Sequence, residues 1–175
     1  MFSRLFGRAE SGNVPEALYA GLVEQSRSPE FFSEIRVPDT VMGRFDMLAM
    51  HTYLLARRLR EENEDRAISL SQEVFDLFVS DIERALRELG IGDTTVPKRK
   101  KRMVKSFYGQ IEDFDQPLVE KDIEKLCERT TTRYGTDVDG FDALRLTDYM
   151  IRCTSHLGNN AYKEILRGQL TWPEL

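Results

Sequence analysis

A chain of 175 residues with 41% hydrophobic and 10% aromatic content is long enough to bury a real core, and a single domain over residues 1–175 is expected. Its 25 basic and 30 acidic residues leave a net charge of -5, which excludes a dedicated nucleic-acid binder with a positive surface throughout; specific DNA binding is not expected, and any polyanion contact must be local. No apolar run approaches the roughly 18 residues needed to cross a bilayer, and Cys127 and Cys153 are too few for a disulfide scaffold, which fits a reducing compartment.

The start, Met1-Phe-Ser-Arg-Leu-Phe-Gly-Arg8, lacks the apolar centre of a secretory signal. It sets Phe2, Leu5 and Phe6 beside Arg4 and Arg8, a weak hint of membrane-surface contact against the plainer expectation of a packed or frayed terminus. Asn13 with Pro15 and Glu16 opens a helix through about residue 25, and Ser28 with Pro29 opens a short one carrying Phe31, Phe32 and Ile35.

After Val37-Pro-Asp-Thr40 comes a long segment, residue 41 to about 62. Phe45, Leu48, Thr52, Leu55 and Leu59 share one of its faces, while Met47, Met50 and Leu54 form a second stripe. A helix apolar on two sides is either central and covered on both, or it leaves one stripe open. Methionine adapts to varied partners, so Met47, Met50 and Leu54, with Tyr108 further on, are the candidates for an apolar client surface; a buried central helix is the alternative. The next helix, from about residue 65 to 89, places Phe75, Phe78, Ile82, Leu86 and Leu89 at core spacing.

Residues 86–109 are the most informative run. Gly90 and Gly92 predict a helix stop near Leu89, and Asp93, Thr94 or Thr95 with Pro97 predict a restart to about residue 114. Val104, Phe107 and Ile111 share the inner face of this helix, with Lys98, Lys101, Arg102 and Lys105 opposite. Six cations, Lys98, Arg99, Lys100, Lys101, Arg102 and Lys105, crowd the positive end of the helix dipole, where cations are disfavoured, and Lys98, Arg99, Lys101, Arg102 and Lys105 are the candidate contacts for an anionic partner: ribosomal RNA, an anionic membrane surface or an acidic protein loop. The competing expectation is a solvated face docked on the chain's own Glu61-Glu-Asn-Glu-Asp65.

Asp115-Gln-Pro117 predicts a further helix through about residue 133, stopped by Tyr134-Gly135. Val138-Asp-Gly140 precedes another, with Leu144, Tyr149 and Ile151, ending near residue 158, and Asn159 caps a last helix to about residue 170. Alternating strand patterns are missing, so the expected fold is all-α, one domain of about seven or eight helices.

Catalytic patterns are missing as well. Gly90-Ile-Gly92 follows a helix and not a strand, so it is no nucleotide fingerprint. Cys153 and His156 lie three apart on one helix face with His51 and Cys127 remote, and Asp137, Asp139 and Asp142 fit loop and cap positions instead of a calcium loop. Neither an enzyme nor a cofactor or metal site is expected.

The run Arg44-Phe-Asp-Met-Leu-Ala-Met-His-Thr-Tyr-Leu-Leu-Ala-Arg-Arg-Leu-Arg60, followed by Leu86-Arg-Glu-Leu-Gly-Ile-Gly-Asp93, Val96-Pro-Lys98 and Lys105-Ser-Phe-Tyr-Gly109, resembles the ubiquinol-cytochrome c chaperone family over roughly residues 41–162. The resemblance implies an all-helical, non-enzymatic assembly factor for respiratory complex III that binds newly made cytochrome b, with members that work near the ribosome beside a small partner protein. The N-terminus lacks the Arg- and Ser-rich presequence of imported members, so the expectation is a bacterial-type protein, cytoplasmic or peripheral at the inner membrane. A peripheral membrane or lipid-binding helical protein is the alternative from a different class.

Overall fold

The helix α3 (Val41–Glu62) is the axis of the fold, because it is apolar on nearly every side and buries Phe45, Met47, Met50, Tyr53, Leu54, Leu55 and Leu59 together. Its start is set by Thr40, whose extended backbone brings the hydroxyl within 3.1 Å of the Gly43 N–H. Its end is set by Asn63 at φ 54°, a residue type that tolerates the left-handed region. The structure, a computed structural model, describes residues 13–136, 138–159 and 162–175.

Around this axis pack α1 (Val14–Ser26), α4 (Asp65–Glu88), α5 (Val96–Glu120) and α7 (Ala143–Asn159). The shorter α2 (Pro29–Ser33), α6 (Ile123–Thr130), a π-helical turn (Thr131–Gly135) and α8 (Tyr162–Ile165) fill the edges. No strand occurs among the described residues. Contacts between Phe45 and Phe78, Phe78 and Phe107, and Tyr53 and Asp115 make α4 antiparallel to α3, and α5 antiparallel to α4. One buried cluster runs through Phe31, Met50, Phe78, Phe107, Phe114 and Tyr149. A second joins Leu18 and Leu22 of α1 to Leu59, Leu70 and Val74.

The α4–α5 connection follows its expected chemistry. Gly90 at φ 74° lets its N–H reach the Arg87 carbonyl and the Ile91 N–H reach Leu86, the paired bonds of a Schellman cap. Leu89, expected in the core, takes the C-cap position itself and is exposed.

Three boundaries differ from expectation. Helix α5 does not stop near residue 114 but continues to Glu120 with Pro117 inside it. Pro117 forfeits one backbone hydrogen bond, yet it lies one turn from the helix end and is buried between Phe114 and Leu118. The following helix therefore starts at Ile123, capped by Asp122, whose carboxylate accepts from the Lys125 N–H at 2.9 Å. It ends at Thr130, because Thr130, Thr131 and Thr132 turn their hydroxyls onto the Cys127 and Glu128 carbonyls and the helix widens into the π turn. The last helix, expected to reach about residue 170, closes after four residues with Gly168 at φ 76°, and the chain then runs on irregularly to pack Leu170 and Trp172 against the core. Phe2, Leu5, Phe6 and Asp137 lie outside the described residues, while Asp142 does cap α7 through the Arg145 N–H.

Candidate functional site

Two surfaces emerge, one cationic and one apolar, both built on α5. The cationic one is the first turns of the helix. Lys98, Arg99, Lys101, Arg102 and Lys105 are all exposed, and no ion pair is formed by any of the five among the described residues. Lys100 differs: it turns inward to Glu83 of α4 at 2.6 Å. Thr95 takes the N-cap position without a side-chain hydrogen bond, and Asp93 pairs with Arg87. The expected docking on Glu61–Asp65 does not occur, because the antiparallel order puts that acidic turn at the far end of α4, about 36 Å of helix away. Glu61 and Glu62 instead pair with Arg57 and Arg58 one turn back.

The apolar surface is not the expected methionine stripe. Met47 and Met50 are 0% exposed and Leu54 is 2% exposed, because α7 and the short α2 region cover the side of α3 that α4 and α5 leave open. These three residues are core, which corrects the expectation of a client surface there. Tyr108 is 51% exposed and stands on the rim of a groove of about 310 Å³ between α3, α4 and α5.

The groove has an aromatic floor and a polar end. Phe75 of α4 meets Phe107 and Tyr108 of α5 at ring-centroid distances of 5.2 and 6.1 Å, and Phe107 packs at a tilt against Phe78 at 5.3 Å. Ile68, 56% exposed, forms the opposite rim, with Ser71 and Gln72 between. At the end Asp115 gathers three partners: it accepts from the Tyr53 hydroxyl at 2.9 Å and from Arg60 at 3.1 Å, and lies 3.7 Å from Arg57 Nε, too far for a hydrogen bond. Burial, reinforced by Asp115, holds the Tyr53 phenol well above its ordinary pKa, so it remains a donor. Sequence reasoning did not name Ile68 and read Phe75 as core; the available signal was their i, i+7 spacing, offset from the Leu70, Val74 and Phe78 stripe that faces the core.

The titratable core groups are chemically quiet. Burial pushes the Cys153 thiol up to about 12 and His51 down to about 4. Asp46 accepts from Gln110 Nε2 at 3.0 Å and lies 3.5 Å from Arg133 of the π turn, tying α3 to α5 and to residues 131–135. Among the described residues no group of three or more His, Cys, Asp and Glu is placed to hold a metal, and no helix is long and apolar enough to cross a membrane.

A family model described as ubiquinol-cytochrome C chaperone matches residues 33–172. The mouse protein named ubiquinol-cytochrome c reductase complex assembly factor 1 is 21% identical over 160 residues, covering 90% of this chain and 54% of that protein. The Xenopus laevis protein of the same name is 24% identical over 105 residues, covering 60% of this chain and 52% of its own. The chain thus spans about half the length of the curated relatives it matches. A crystal structure of the Cbp3 homolog from Brucella abortus superposes with a TM-score of 0.83 at 30% identity, covering 92% of this chain and 89% of that one.

Proposed function

The chain belongs to the ubiquinol-cytochrome C chaperone family, and from that premise we propose that it is an assembly factor for the ubiquinol-cytochrome c reductase complex whose α3–α4–α5 groove holds an apolar segment of newly made cytochrome b. The observation that carries this reading is the groove itself, in which exposed Ile68 and Tyr108 flank a floor of Phe75 and Phe107. Large apolar side chains left open to water on a rigid helical scaffold fit a partner that supplies the missing contacts. The volume suits one or two bulky client side chains. Arg57 and Arg60 at its end, with Asp115 beside them, offer both charges to the polar flank of such a segment. Binding alone is asked of these residues, in keeping with a family that is not an enzyme class.

The test places a photo-crosslinking phenylalanine analogue at Tyr108 in the native cells and identifies the adducts by mass spectrometry. Cytochrome b in the adduct, with complex III lost selectively in the deletion strain, is the expected result. Adducts without cytochrome b, together with normal cytochrome b and complex III in the deletion strain, would overturn the assignment.

A further inference from the structure

The Schellman cap at Gly90 and the backbone bonds from Thr95 and Val96 to the Gly92 carbonyl close the α4–α5 connection into a tight tip. Phe45 stacks on Phe78, and Gln110 reaches Asp46, so four residues of α3 precede that level while ten of α4 follow it and fourteen of α5 precede it. At about 1.5 Å per residue the hairpin overhangs the start of α3 by roughly 10 Å.

The charge of this tip opposes that of the rest of the chain. Residues 81–105 hold eight basic and four acidic side chains, in a protein of net charge -5. All four acids are already paired: Asp81 and Glu88 with Arg84, Asp93 with Arg87, and Glu83 with both Arg87 and Lys100. Lys98, Arg99, Lys101, Arg102 and Lys105 remain as surplus positive charge, and Lys98 and Arg99 lie in the first turn, where the helix dipole disfavours cations. The far end of the same helices mixes Glu61, Glu62, Glu64, Asp65, Glu120 and Asp122 with Arg57, Arg58, Arg60, Arg66 and Lys121, so it holds no comparable cationic surplus. A local surplus of this kind turns the molecule tip first towards an anionic surface.

Aliphatic groups accompany the cations. Leu89 on the tip is 55% exposed, and Val41 and Met42, at the same end of α3, are 53% and 47% exposed. RNA readers stack bases on aromatic side chains set among their cations, and residues 86–102 hold no aromatic residue. Aliphatic tips gain nothing from a phosphate chain but do gain from lying below lipid headgroups. We propose that the α4–α5 hairpin tip docks this protein on an anionic lipid bilayer, with Lys98, Arg99, Lys101 and Arg102 on the headgroups and Leu89 inserted between them. Tyr108 lies seven residues beyond Lys101 on α5, so the groove mouth would stand about 10 Å from the basic rim. The proposal rests on the tip alone and goes beyond the identity of any groove occupant.

The test is sedimentation of the full chain with vesicles of phosphatidylcholine containing one-third phosphatidylglycerol, against phosphatidylcholine alone. Selective binding to the anionic vesicles that weakens as salt rises is expected. Replacing Lys98, Arg99, Lys101 and Arg102 together by Gln should lower the partition by a factor of roughly six hundred, at roughly fivefold per cation. Leu89→Ser should lower it by about tenfold with the salt dependence unchanged. Ile68→Ser in the groove should leave it unaltered, so failure of the tip and failure of the client groove read out separately. All the substituted side chains are solvent-exposed, and thermal melts verify that the variants fold. Equal sedimentation with neutral vesicles, full binding by the Gln or the Leu89→Ser variant, or retention of an RNA oligonucleotide with no vesicle binding would each overturn the proposal.

Discussion

His51 is held in one protonation state by its neighbours. The Met47 carbonyl can only accept, so Nδ1 donates to it at 2.7 Å; Nε2 is then the acceptor for the Tyr149 hydroxyl at 2.8 Å, whose oxygen accepts from Gln25 Nε2 at 3.0 Å. Phe31 and Trp172 close the site edge-on at ring-centroid distances of 5.4 and 4.8 Å. Burial holds the imidazole down at about 4, so the folded protein refuses a proton that the unfolded chain accepts near pH 6.5. The stability tied to this group is complete above about pH 6.5 and is lost as the pH falls towards 4, by a total on the order of 3 kcal/mol. Asp46 works in the other direction: burial raises its carboxyl, against the pull of Arg133, so its protonation favours the folded state at low pH. Urea unfolding at a series of pH values should therefore show declining stability between 6.5 and 4 in the wild type. His51→Gln should be less stable at pH 7 yet flatter across that window, and an unchanged slope would take the effect away from His51.

The beginning of α3 depends on a glycine for reasons of space. A Cβ at Gly43 would stand 1.9 Å from the Pro38 carbonyl oxygen, a backbone atom that cannot step aside without pulling Thr40 out of its capping position. Gly43→Ala is expected to cost on the order of 3 kcal/mol or more, whereas Thr40→Ala, which removes only the cap, should cost about 1 kcal/mol. Equilibrium denaturation of the two variants gives the comparison; equal losses would mean the backbone relaxes around the methyl group. Element boundaries were legible where residue chemistry is unambiguous: Thr40 and Asn63 around α3, and Gly90 after α4. They were hidden where packing overrides propensity. Lys121 takes φ 54° with no glycine to announce it, stopping α5 just after Pro117 had already been carried inside. The three threonines divert the next helix by side-chain bonds that no apolar period reveals.

At the scale of the whole molecule, the all-helical class, the central α3 and the exposed cationic start of α5 were legible because each follows from a pattern within one helix. The groove was not, since its rim and floor come from three helices and exist only through their relative placement. Periodicity identified two apolar stripes on α3 but could not say which neighbours cover them, and α7 is far along the chain from the residues it buries. That distinction separates two kinds of variant. Met47→Asp or Met50→Asp would put an unpaired carboxylate into a sealed core, a penalty of several kcal/mol that competes with the whole stability of a domain of this size. Loss of the cooperative unfolding transition is expected. Ile68→Asp and Tyr108→Asp place the same charge where water already reaches, so their melting temperatures should stay within a few degrees of wild type while crosslinking of an apolar client from an analogue placed at Gln72 in the groove is lost. Circular dichroism melts run beside the crosslinking assay decide between the surfaces. A folded Met50→Asp protein that fails to crosslink would return the client site to the methionine stripe, and a Tyr108→Asp protein that crosslinks at full strength would empty the groove of its assigned role.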